Sequence, residues 1–256
     1  MPKEPAHPPS DPTHAAFPTT CWTLIVDLKP DADPALEQRL LEELSRKYWF
    51  PLYAFARHRG MTSHDGEDAV QSFFLHIANA EYFRKADHDK GKLRTFILTG
   101  FTRHLKDLKA KTHAQKRGGG ILTLSLDTDQ AEEWLHLAPG TKPEDETLTF
   151  EHHWATNLIR IVLANLEQQA AANTRTQHRF KTLSQFIDPS SNPTLTIKEA
   201  AKQLEISPAA CEKAVQRIRH DFRLAIREQI AATLRNPTED SIIAELQQLQ
   251  QALTKR

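Results

Sequence analysis

Apolar residues recur along this chain at three- and four-residue steps, the period of helices that bury one face. Between Leu36 and Arg59 the stripe is Leu40, Leu41, Leu44, Tyr48, Leu52 and Phe55. Pro51 falls inside it; lacking an N–H for the preceding turn, it predicts a bend or a division of the helix. Gly60 ends the run and Thr62 or Ser63 can cap the next helix. There Asp65, Glu67 and Asp68 suit the positive N-terminus, ahead of the apolar Phe73, Phe74, Leu75 and Ile77. A third amphipathic helix is predicted from Leu93 to Lys111, with Phe96, Ile97, Phe101, Leu105 and Leu108 turned inward.

Gly118-Gly119-Gly120 closes this unit. Residues 121–146 mix Asp, Glu, Thr, Pro and Gly with short apolar runs, a linker in which ILTLSLD could form an extended piece. Helical periodicity resumes from about Thr147 to Thr233 and is broken once, at Pro189, Asn192 and Pro193. A last amphipathic stretch, Asp240 to Leu253, carries Ile242, Ile243, Leu246, Leu249 and Leu253, a face for the second unit or for a partner. The prediction is an all-α protein of two small helical domains. A disordered leader (1–20) precedes a helical domain (21–120), an acidic linker (121–146), a second helical domain (147–235) and a C-terminal amphipathic helix (236–256).

Within the second domain, TIKEAAKQLEISPAACEKAVQRIR (196–219) has the pattern of a helix-turn-helix. That motif needs a small residue where its helices cross, an apolar lock, and a polar outer face on the second helix. Ala201 is the crossing residue, and Ala200, Leu204, Ile206, Cys211, Ala214, Val215 and Ile218 form the lock. Ser207 is an N-cap with Pro208 at the first helical position. Glu205 stands at the turn where glycine is commonest, so this turn must accept a side chain. Ala209, Ala210, Glu212, Lys213, Gln216, Arg217, Arg219 and His220 then face outward, and the Arg, Lys and Gln among them can donate to base edges or phosphates. Two packed helices with a charged surface is the plainer alternative for the segment.

Charge sharpens this picture only when mapped. The 256 residues carry 33 basic and 33 acidic side chains, a net charge of zero that by itself argues against nucleic acid. Yet eleven Lys and Arg face three Asp between Arg84 and Arg117, whereas eight acids face one Lys between Asp127 and Glu151. Arg103, Lys106 and Lys109 lie at three-residue steps on the basic helix and suit phosphate contact, unless the run is simply a solvated face. Aromatics are interleaved here; Phe96 and Phe101 fit the core better than a base stack.

No segment approaches the roughly 20 apolar residues of a membrane span. The two cysteines, Cys21 and Cys211, lie far apart, which suits a reducing cytoplasm, and Cys211 falls on an inward position. Thirteen histidines include no metal-type spacing, and His152 and His153 are adjacent, so a helix points them apart. HExxH, GxxxxGK[ST] and GxSxG are all missing, and KRGGG lacks a strand–loop–helix setting for phosphate. The residues point to no enzyme, no metal, no cofactor and no small-molecule substrate.

Three segments together resemble the extracytoplasmic-function (ECF) sigma factors of bacterial RNA polymerase. GEDAVQSFFLHI is similar to their polymerase-binding helix, patterned D-A-E-D-L-x-Q-x-x-F-x-x-L, with Glu67, Asp68, Gln71, Phe74 and Ile77 at the matching positions and Leu75 beside them. GKLRTFILTGFTRHLKDLKAK resembles the helix that binds and melts the promoter −10 element, with Phe96 where Trp is usual and His104 where Asn is usual. TIKEAAKQLEISPAACEKAVQRIRHDFR resembles the winged-helix-like helix-turn-helix of sigma region 4, which reads the −35 element. TTCWTLIVDLK, RKYWFPLYAFARHRG and AQKRGGG look closest to a large ECF-like subgroup of planctomycete-type bacteria.

The resemblance spans about residues 18–235 and implies a region-2-like first domain and a region-4-like second. It implies polymerase contact through Glu67, Asp68, Gln71, Phe74 and Leu75. It implies −10 contact through Arg94, Phe96, Arg103, His104, Lys106 and Lys109. It implies −35 contact through Ala209, Glu212, Lys213, Gln216, Arg217, Arg219 and His220. The implied partners are core RNA polymerase and promoter DNA, with an anti-sigma factor a possible third. The acidic linker would lie along the polymerase's nucleic-acid channel or cover the chain's own basic helix. A stand-alone helix-turn-helix regulator and a degenerate sigma-like adaptor remain the alternatives.

Overall fold

The computed structural model describes residues 34–77, 92–112, 128–137, 146–187, 193–234 and 237–254. These form α1 (Pro34–His58), α2 (Ser63–Ile77), α3 (Leu93–Thr112), α4 (Thr128–Leu137) and α5 (Glu146–Ala170). They continue as α6 (Thr174–Leu183), a 3-10 turn (Ser184–Phe186), α7 (Ile197–Gln203), α8 (Pro208–Ala231) and α9 (Glu239–Thr254). The all-α expectation holds. Among the described residues no strand accompanies the helix-turn-helix, so it carries no wing there. The leader (1–20), ILTLSLD, the glycine triplet, the Pro189–Asn192 break and the basic residues at 84–90 and 116–117 lie outside the described residues.

The expected stripes become the core. Leu40, Leu44, Tyr48, Leu52 and Phe55 of α1 pack with Val70, Phe73 and Phe74 of α2 and with Leu93, Ile97 and Phe101 of α3. The buried cluster does not stop at the linker: it continues through Ala131 of α4, Phe150, Trp154 and Leu158 of α5, Ile226 and Ile230 of α8, and Ile242 and Leu249 of α9. α1 and α5 form the most extensive helix pair. α4 lies inside the stretch read from sequence as a linker. Its Ala131, Trp134 and Leu135, at helical spacing, were the available signal.

Pro51 neither divides nor ends α1. Proline leaves the carbonyl four residues earlier, Lys47 O, without its helical donor. Asn157 of α5 supplies one, its Nδ2 donating to Lys47 O at 3.1 Å and to Arg46 O at 3.2 Å. Asn157 is itself buried, so the repair is made between packed helices.

Two ion-pair sets clamp the linker segment to α1. Glu132 accepts from Arg57 Nε at 2.6 Å and Nη2 at 2.9 Å, and from the Tyr53 hydroxyl. The Arg57 hydrogen bonds hold the Glu132 carboxyl below its usual range, while burial and Glu132 push the Tyr53 phenol up. Glu146 accepts from both ends of the Arg59 guanidinium, which likewise lowers its carboxyl. The hydrogen bonds of these two acids thereby go to α1, while Glu146 also feels the charge of Lys109 on α3.

Candidate nucleic-acid interface

The helix-turn-helix is α7 and α8. Thr196 caps α7 with a full capping box: Glu199 N donates to Thr196 Oγ1, and Thr196 N donates to Glu199 Oε2 at 2.8 Å. Glu205 makes the turn with φ at 53°, the left-handed conformation glycine would adopt freely. Ser207 then caps α8, accepting from Ala210 N, with Pro208 at its first position. Between the two helices lies a second small core of Leu183, Ala200, Ala201, Cys211, Ala214 and Val215, with Leu204, Ile206 and Ile218 against it. Cys211 is fully buried, and burial raises its thiol pKa.

The opposite side of α8 is exposed at Ala209, Glu212, Lys213, Gln216, Arg217, Arg219 and His220. Arg219 sits at the margin of this stripe with its Nε donating to Phe186 O at 3.1 Å. α8 has 24 residues, about 36 Å of continuous helix. Its first turns lock the small core, and Ile226, Ile230 and Ala231 at its far end enter the main one. The recognition face is therefore carried on a rod anchored at both ends.

On α3, Arg103, Lys106 and Lys109 are exposed and follow one edge. Phe101 is fully buried; Phe96 is half-buried and packs on the core. His104 is half-buried, its Nε2 at 2.8 Å from Ser72 Oγ and its ring stacked on His76 of α2. It ties the basic helix to its acidic neighbour.

Arg94 departs from the expected DNA-facing cation. It is 3% exposed and lies in a buried cluster, its Nε 2.7 Å from Glu151 of α5 and its Nη1 on Glu245 of α9. Nη2 donates to Gln248 Oε1 at 2.8 Å, and the guanidinium lies 4.6 Å over the Trp154 ring. Burial pulls the Arg94 pKa down, but the two carboxylates outweigh it and the net shift is upward. Lys92 joins through Glu245 at 2.5 Å. The physical reason is charge balance: α9 brings an acid into the core, and Arg94 is its counter-ion. Sequence reasoning missed this because Glu245 lies 151 residues away.

On α2, Thr62 caps the first turn by accepting from Asp65 N. Asp68 is well exposed, with His64 3.6 Å away; Glu67 is partly exposed and accepts from Gln71 Nε2 at 3.0 Å. Leu75 is half-buried. Phe74, read as a partner contact, is only 1% exposed and belongs to the core, where it packs beside Phe73. The surface α2 offers is therefore acidic and polar, with Leu75 as its apolar member.

His152 and His153 do diverge: His152 Nδ1 lies 3.0 Å from Ala252 O, and His153 meets Phe50 edge to face. Among the described residues no group of His, Cys, Asp and Glu is placed to hold a metal ion, and no helix is long and apolar enough to cross a membrane.

The described residues thus present a helix-turn-helix with an exposed, mainly basic face on α8, a second basic helix, α3, and an acidic helix, α2, beside it. The family model described as ECF sigma factor matches residues 37–228. The chain belongs to the ECF sigma factor family and directs RNA polymerase to promoters. Among curated proteins and among solved structures nothing matches it. α9 lies beyond the matched residues.

Proposed function

We propose that this sigma factor holds promoter DNA at two places and polymerase at a third. Ala209, Glu212, Lys213, Gln216, Arg217 and His220, with Arg219 at the margin, read the −35 element in the major groove. Arg103, Lys106 and Lys109 hold the −10 backbone, with Phe96 and His104 beside them, and binding energy favours the melted strand over the duplex. Glu67, Asp68, Gln71 and Leu75 meet core polymerase, and Phe74 supports that surface from beneath. Arg94 positions the start of α3 rather than touching DNA. Residues 21–120 thus act as the region-2-like part and 147–235 as the region-4-like part. The sequence runs quoted above favour the large planctomycete-type subgroup.

The observation that carries this reading is the division of α8, packed on Cys211, Ala214 and Val215 and exposed along its polar face. Phosphodiester chemistry belongs to the polymerase, so the chain needs no cofactor, and it works where the polymerase does, in the cytoplasm. An anti-sigma factor would compete for the α2 surface. The test is run-off transcription on genomic fragments with reconstituted core polymerase. Discrete starts are expected. Lys213→Ala with Arg217→Ala should weaken promoter binding about tenfold or more while leaving core binding intact. Asp68→Arg should do the reverse. Binding of DNA without any binding of core would replace this reading with a stand-alone regulator; no starts and no DNA binding would replace it with an adaptor.

A further inference from the structure

An open cleft of about 680 Å³ lies between α1, α4 and α5, within the size range of small-molecule sites. Each helix gives it one stripe: Ser45, Trp49 and Phe50 from α1, Trp134 from α4, and Asn157 and Arg160 from α5. Aromatic rings form much of its wall, Trp49 being backed by Tyr53 at 5.2 Å, and Glu42, Gln130 and Asn165 add polar groups.

Arg160 is the central case. Its guanidinium lies 3.3 Å from the Trp134 ring centroid and 5.1 Å from that of Phe50. Among the described residues no carboxylate pairs with it, and its Nη1 is buried without a hydrogen-bond partner. Burial lowers its pKa to about 10, which leaves it cationic at neutral pH. Ser45 Oγ and Trp49 Nε1 are also buried without partners, on residues 7% and 6% exposed. Asn157 Nδ2 donates to the Arg46 and Lys47 carbonyls, so its amide nitrogen makes no contact with Arg160. Of the nearby acids, Glu43 pairs with Arg46 and Lys47, and Glu42, which with Arg46 also lines the cleft, accepts from Gln38 and makes no ion pair with Arg160.

Three buried donors, one of them charged, therefore line a cleft walled by two indoles and a phenyl ring. Buried donors are nearly always satisfied, by protein, ordered water or ligand. Water would satisfy the hydrogen bonds but would leave the flat apolar walls uncovered. A cation already stacked on an aromatic face also favours an anion in its own plane. We propose that this cleft binds a small aromatic carboxylate, its ring against Trp49 and Trp134 and its carboxylate on Arg160, Ser45 and the Trp49 indole N–H. α4 lies in the stretch between the basic helix and the helix-turn-helix, so an occupant would hold that segment against α1 and α5. The site does not depend on the promoter contacts proposed above.

The test uses the full chain with 2-naphthoate and its neutral counterpart 2-naphthalenemethanol, followed by calorimetry and tryptophan fluorescence. Naphthoate should bind saturably and at least about tenfold more tightly than the alcohol, the worth of one charge-assisted hydrogen bond. Arg160→Gln should abolish that preference by weakening naphthoate and leaving the alcohol unchanged. Trp134→Leu should weaken both. Thermal unfolding establishes that each variant is folded. If Arg160→Gln fails to fold, Ser45→Ala should still weaken naphthoate severalfold without affecting the alcohol. No saturable binding of naphthoate below about 1 mM, the outcome for a cleft holding water only, overturns the proposal. So does equal affinity for the two compounds.

Discussion

Replacing Glu245 by Leu tests whether α9 is held to the basic helix by charge. The substitution removes from Arg94 a carboxylate that is as buried as Arg94 itself, and leaves Glu151 and Gln248 around it. Breaking a buried pair from one side costs about 3–5 kcal/mol, because a charge is left in a dry site. Glu151 still neutralises Arg94, so the low end, about 3 kcal/mol, applies to Glu245→Leu. In a chain of this size that corresponds to a fall in Tm of roughly 6–12 °C. Arg94→Met should cost as much or more, about 3–5 kcal/mol, because it leaves Glu151 and Glu245 together with only Lys92, on Glu245 at 2.5 Å, to offset them. The double variant Arg94→Met with Glu245→Leu should be clearly more stable than the sum of the singles, since an apolar pair replaces the buried charges beside Trp154 and only the partly exposed Glu151 loses its partner. Urea unfolding followed by circular dichroism, with the m-value unchanged, gives the cycle. Trp154 fluorescence reports locally on the Arg94 guanidinium above its ring. A loss below about 1 kcal/mol for Glu245→Leu, the range of exposed pairs, would refute the buried-charge argument. A double variant as unstable as the sum of the singles would refute it too.

Asn157→Ala should cost about 1–3 kcal/mol by removing the side-chain donor to Lys47 O, and should cost clearly less in a Pro51→Ala background, where residue 51 regains its own N–H; equal costs in both backgrounds in urea unfolding would remove the link between the two residues. His153 supplies a pH dependence. Burial, then His152, His58 and Arg160, lower its pKa to about 4 from an unfolded value near 6.5. Between those values the unfolded chain binds the extra proton. Stability is therefore full above about pH 6.5 and falls as pH drops, by about 2 kcal/mol between pH 7 and pH 5. His153→Leu should flatten the profile over that interval, and an unchanged slope would contradict the assignment.

Much of the candidate interface was legible because its determinants are local. Ala201, Ser207, Pro208 and Cys211 each specify a cap, a turn or an inward position within a few residues of themselves, and the outward face of α8 follows by periodicity. Glu205 shows the limit of such reading: the sequence indicated a strained turn, and the fold accepts it with φ at 53° because the helix pair on either side is locked by the small core. Phe74 and Arg94 were both placed by motif matching on partner-facing surfaces, and both are buried. A motif position gives residue type and spacing, but not which side of the helix a distant element will cover.

By itself, then, the chain's sequence determined most of the helices, their inward stripes and the outward polar face of α8, since all of these arise from contacts within one or two turns. Only the tertiary structure decided that α4 docks on α1 through Glu132 and Arg57, that Asn157 repairs the turn opened by Pro51, and that Arg94 serves Glu151 and Glu245. These pairings cross 57 to 151 residues. No periodicity reaches that far. They are selected because burying one polar group obliges the fold to bring its complement from wherever in the chain it lies.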